Sequence, residues 1–203
     1  MLTKELLKEV ILSQRDYLDK TNLGILRQKE VTIRDSFAVL ITGVRRCGKS
    51  TFLNQLLKKQ KKGYYLNLED PRLEGFELSD FNKAEIVLNE IYGHGGIYFF
   101  DEIQNIEKWE KFVRYLIDKK EKVVITGSNA SLLSRELGTK LTGRHLQLEL
   151  FPFSYPEFLG LKKKKPSVDS FAEYFNLGGF PEYLKTENPA ILQELLSDIV
   201  LKD

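Results

Sequence analysis

The chain has 203 residues, 42% of them hydrophobic and 30% charged, which is enough apolar material for one medium domain with at most a small appendage and excludes a disordered chain. Its formal net charge is +2, and the densest basic runs, 58–62 and 162–165, hold no aromatic residue and read as solvated loop ends rather than a nucleic-acid contact. Cys47 is the sole cysteine, which excludes an internal disulfide or cysteine-metal framework and fits a reducing cytoplasm, and no apolar run approaches the roughly 18 residues of a membrane span or suggests a signal peptide.

Residues 2–18 place Leu6, Val10, Ile11 and Leu18 near helical spacing, which predicts an amphipathic helix followed by a polar connector to residue 36. Strands and helices then alternate. Strands are expected at 37–41, 64–68, 97–100, 123–126 and 146–150, and helices at 49–59, 82–91, 106–119 and 131–137. Repeated strand-helix units imply an α/β fold of three layers, a central parallel sheet of about five strands with helices on both faces, over residues 37–150. The runs 38–41, 97–100 and 123–125 are continuously apolar, as expected of central strands covered on both faces. The runs 65–69 and 145–150 alternate apolar and polar residues, which predicts the two exposed edges. From Phe151 the pattern breaks at two prolines, and 151–203 is expected to be a small helical appendage, a lid or the start of a truncated C-terminal region.

Between the first strand and its helix, Gly43-Val44-Arg45-Arg46-Cys47-Gly48-Lys49-Ser50 matches G-x-x-x-x-G-K-[ST], with Thr51 following. Glycines let the backbone curl until successive N–H groups face one anion. Lys49 is expected to bridge the outer phosphates of ATP and Ser50 to ligate Mg2+. Asp101 follows the strand 97–100 and is expected to supply the carboxylate that reaches the metal directly or through water. Glu102 beside it is the candidate general base for an attacking water, which favours hydrolysis over transfer to a small molecule; the competing reading is an acidic N-terminus for the next helix. At the end of 123–126, Ser128 and Asn129 either sense the γ-phosphate or cap the following helix. No Asn-Lys-x-Asp guanine reader is present, since Asn82-Lys83-Ala84-Glu85 ends in the wrong residue.

These motifs resemble the AAA-type P-loop ATPases of archaea and bacteria, whose members often carry G-x-R-R-x-G-K-[ST]-T, D-E-I-Q and T-G-S-[NS]. The corresponding segments here run from Gly43 to Thr51, Asp101-Glu102-Ile103-Gln104 with Trp109 after it, and Thr126-Gly127-Ser128-Asn129. The likeness extends to Asn67-Leu68-Glu69-Asp70-Pro71-Arg72, Leu141-Thr142-Gly143-Arg144, Phe151-Pro152-Phe153-Ser154-Tyr155-Pro156 and Gly178-Gly179-Phe180-Pro181-Glu182. The resemblance implies the additional-strand ATPase fold, ATP as nucleotide, magnesium as cofactor, and a longer protein of which this is the N-terminal part. It leaves open a homo-oligomer, a protein partner or a DNA-related process, and as a second reading a switch that hydrolyses only when a partner supplies an arginine.

Arg144, then Arg135, is the candidate for that arginine, in cis or in trans, against a surface salt bridge. No arginine follows Arg144, so Lys185 is the only substitute noted for a lid arginine, and slow basal turnover is expected. Asn67 or Asp70 is a candidate to hold Glu102 in an unproductive rotamer. Arg45 and Arg46 are expected to point away from the phosphates toward an interface or a domain contact. Cys47, near a helix N-terminus, is a candidate for a thiol of lowered pKa.

Overall fold

The computed structural model describes residues 2–127 and 143–202. Five strands, β1 (Ala38–Thr42), β2 (Gly63–Asn67), β3 (Ile97–Asp101), β4 (Val123–Thr126) and β5 (His145–Glu149), form one sheet in the order β2-β3-β4-β1-β5. All four pairings are parallel. The three continuously apolar strands are the central ones and the two alternating strands are the edges, as the pattern predicts. Strand β4 intervenes between β1, which leads into the glycine-rich loop, and β3, which ends in Asp101.

The layers follow from the two-residue period of a strand. Ala38, Leu40, Tyr98, Phe100, Val123 and Ile125 face one side and share a core with α1 (Lys4–Lys20), α3 (Asp80–Tyr92) and α4 (Trp109–Asp118). Val39, Ile41, Phe99 and Val124 face the other side and pack on Phe52, Leu53, Leu56 and Leu57 of α2 (Lys49–Lys58). Helices on both faces are thus required to bury the three central strands.

The edges differ from one another. Strand β5 is largely exposed, in keeping with its alternation, whereas the first four residues of β2 are buried. The cause is α1, whose Leu7, Val10 and Ile11 join the core over β2. Its Gln14 also caps the free edge: Gln14 Oε1 accepts from Asn67 N at 2.8 Å and Gln14 Nε2 donates to Asn67 O at 3.0 Å. A side-chain amide there stands in for the peptide of a sixth strand.

After β5 the chain forms α5 (Tyr155–Lys162), α6 (Val168–Leu177), α7 (Pro181–Thr186) and α8 (Pro189–Lys202). Phe153, Phe158, Leu159 and Leu184 give these helices a small core of their own. Ser154 and Glu157 form a reciprocal capping box that starts α5. The helix expected at 131–137 lies outside the described residues.

Candidate functional site

The loop between β1 and α2 depends on two glycines. A Cβ on Gly43 would lie 2.2 Å from the backbone oxygen of Leu150, and Gly48, at φ 100°, is the N-cap of α2. Lys49 is the first residue of α2 and is buried, with its Nζ donating to Gly43 O at 3.0 Å and Val44 O at 3.3 Å. Arg46 takes a left-handed conformation, φ 60°, which is costly for a side chain with a Cβ. Lys49, Ser50, Thr51, Arg46 and Glu102 line one cleft of about 340 Å3, closed on its far side by Pro181, Glu182 and Lys185. The phosphate-loop residues and Glu102 therefore meet, as the motifs predict, at the C-terminal ends of the strands.

Asp101 lies behind this cleft with 1% of its surface exposed. Tyr65 OH donates to its Oδ2 at 3.1 Å, Thr126 Oγ1 donates to its Oδ1, and the Ser50 hydroxyl also bonds it. Burial pushes the Asp101 carboxyl above its ordinary value, a shift that these hydrogen bonds oppose. The same burial, with the Asp101 charge beside it, pushes Tyr65 far up, so its hydroxyl stays a donor. The hydroxyl of Ser50 and the carboxylate of Asp101 thus form a pair of hard oxygen donors, the chemistry Mg2+ takes when phosphates and water complete its shell.

Glu102 has φ 51° and is pinned twice: its N–H donates to Thr126 Oγ1 at 3.0 Å and its Oε2 accepts from Gln104 Nε2. Gln104 is thus one residue that holds the Glu102 carboxylate. Asn67 Oδ1 instead accepts from Glu69 N, and Asp70 is bonded by Gln14 and Arg72.

Three expectations change. Cys47 is fully buried, and that burial raises its pKa although Lys49 and Arg27 pull it down, so it is not an activated thiol. Arg46 lines the cleft instead of pointing away from it, while making the expected domain contact: it faces Glu182 on α7, 3.3 Å away, and Glu194 on α8, 3.6 Å away. Arg144 precedes β5, so it lies at the opposite end of the sheet from the cleft, about 17 Å away over five residues of strand, and pairs with Asp118. It cannot reach this cleft from within its own chain. Ser128, Asn129 and Arg135 lie outside the described residues.

Sequence reasoning missed Arg27, which is buried and joins three parts of the chain. Its Nη1 donates to Cys47 O in the phosphate loop at 3.2 Å, its Nη2 donates to Phe151 O, and its Nε lies 3.0 Å from Glu157 Oε1 on α5. Its guanidinium sits 5.0 Å from the Phe153 ring centroid. Beside it a narrow pocket of about 40 Å3, lined by Leu23, Ile25, Gln55 and Leu161, adjoins the cleft through Gly48, Thr51 and Lys185. A single arginine in a polar connector carries no periodic signal that could have found it. Tyr65, placed by the parallel register rather than by a motif, was also missed, and Thr126 was read within a motif without its part in holding Asp101 and Glu102.

The profile of the AAA domain family matches residues 35–159. An uncharacterized protein of Methanocaldococcus jannaschii is 36% identical over 98% of the chain and 48% of its own length. An uncharacterized protein of Haemophilus influenzae is 34% identical over 97% of the chain and 51% of its own length. The chain spans about half the length of these curated relatives. Among solved structures, DnaA from Aquifex aeolicus with AMPPCP bound aligns with a TM-score of 0.48 at 12% identity, over 96% of this chain and 62% of that one.

Proposed function

Because the chain belongs to the AAA domain family, we propose that it is a Mg2+-dependent ATPase whose turnover is coupled to a conformational or DNA-related event. The observation that carries this reading is the meeting of Lys49, Ser50 and Glu102 around one cleft with Asp101 buried directly behind it. Lys49 would exchange its two loop carbonyls for the outer phosphates, and Thr51 and the loop N–H groups would complete the cradle. Ser50 and Asp101 would hold the magnesium ion, which neutralises phosphate charge when bound. Glu102, fixed at both its backbone and its carboxylate, would take the proton of the attacking water.

The purine would sit in the pocket between Leu23, Ile25 and Leu161. At about 40 Å3 this holds a water and not a base, so nucleotide entry would displace α7 and strain the Arg46–Glu182 contact. That contact supports the second reading, a switch with little turnover until a partner acts: Arg46 is the one arginine lining the cleft among the described residues, and Arg144 could serve only another molecule. Isothermal titration with Mg-ATP is the test. Binding is expected for the native chain and abolished in Lys49→Ala; unchanged affinity in that variant would remove the phosphate-site assignment.

A further inference from the structure

Two lysine runs about sixty residues apart converge at the pole of the sheet opposite the cleft. Lys58 ends α2 and Lys59, Lys61 and Lys62 connect it to β2, and Lys119, Lys120 and Lys122 connect α4 to β4. Each run returns a helix to the N-terminal end of a parallel strand, so both must end on the same side of the molecule. Strand β3 separates β2 from β4, which puts the two ridges about 10 Å apart, two strand spacings. The lead-in to β3 is Gly95-Gly96, so the floor between the ridges is bare backbone. The result is a cleft of about 400 Å3 whose lining holds Lys61, Lys62, Lys120 and Lys122 against one carboxylate, Glu121.

These four lysines are exposed, and among the described residues none is paired with an acidic side chain. The basic run at 162–165 is different, with Lys162 paired to Glu187 and Lys164 to Glu173. Lys119 and Arg144, at the margin of the pole, are likewise taken by Glu85 and Asp118. A chain of net charge +2 therefore concentrates uncompensated positive charge in one cleft, where it repels itself unless an anion is bound.

We propose that this cleft docks the phosphate backbone of duplex DNA without reading its sequence. Lysines act as point charges for phosphate, and the cleft has no arginine fork to read a base edge. It has no aromatic side chain on which single-stranded bases could stack, and its one apolar side chain, Ile97, is half-buried and offers no wedge to a base step or a membrane. Two ridges about 10 Å apart can reach phosphates on both strands across a groove. Helix α2 runs from Lys49 at the nucleotide cleft to Lys58 beside the basic pole, about 15 Å, so both ends can be occupied at once.

Fluorescence anisotropy of a labelled 20-base-pair duplex tests this with the 203-residue chain. Four lysine-phosphate contacts predict that log affinity falls with log salt at a slope of about −3 to −4. K61E/K122E should weaken binding at least about tenfold and flatten the slope, while K163E/K165E, the same charge change on the other run, should stay within about twofold. ATP affinity in K61E/K122E should equal that of the native chain, which separates failure here from failure of the ATPase reading. Equal losses in the two double variants, no binding of the duplex at 50 mM salt, tighter binding of duplex RNA, or tighter binding of phosphatidylserine vesicles would each overturn the proposal.

Discussion

Asp101 is the residue at which stability and function pull apart. Its carboxylate is walled in by Tyr65, Thr126 and Ser50, and burial raises its pKa above that of an unfolded chain. A raised carboxyl contributes stability only while protonated, below its ordinary value near 4; that contribution is lost as pH rises through the folded pKa. Wherever it ionises, the buried group is therefore a burden on the ligand-free fold. Asp101→Asn should raise the denaturation midpoint at pH 7 to 8, the gain should shrink as the pH is lowered, and magnesium-dependent ATP binding should fall; a variant less stable at pH 8 would refute this. Lys49, Ser50, Asp101 and Glu102 were legible because their chemistry demands fixed residue types at fixed places on a strand end and a helix start. The positioning roles of Gln104 and Thr126 were not, although both stand in the motifs, and Tyr65 was not visible at all, since a hydroxyl or amide that positions a neighbour can come from the same turn or from an adjacent strand.

At the scale of elements, the connector after α1 and the start of α5 are bound through the buried pair Arg27–Glu157, whose side chains are 4% and 5% exposed. Removing one member leaves the other charged and unpaired in a buried place, which costs about 3–5 kcal/mol. Arg27→Met should lower the unfolding free energy by about that amount in a urea titration, and a loss below about 1 kcal/mol would show that the pair is idle. Gln14 plays the equivalent part for α1. Three of its hydrogen bonds end on Asn67 and Asp70, each worth about 1 kcal/mol, so Gln14→Ala should cost about 2–3 kcal/mol by the same measurement. The strand order was legible in part: continuous apolar runs mark strands covered on both faces, and alternation marks edges. That α1 buries the β2 edge was hidden, because the sequence shows the polar residues of 65–69 but not the helix that covers them.

Across the whole molecule, the parallel sheet sorts its chemistry to two ends. Strand C-termini carry the phosphate loop, Asp101 and Glu102, and strand N-termini carry the lysine ridges and Arg144. This polarity follows from topology, since α2, α3 and α4 each return the chain to the start of a parallel strand, and it explains why a basic run judged unremarkable in one dimension becomes a cleft in three. It also places Arg144 beside Asp118 at the end of the sheet opposite the cleft, which the linear order of the motifs does not reveal. The central claim, that the C-terminal end of the sheet hydrolyses ATP through Glu102, is tested most directly by steady-state phosphate release from Glu102→Gln alongside its ATP affinity. Affinity should be unchanged and turnover reduced about 100-fold or more. Native turnover in that variant would contradict it.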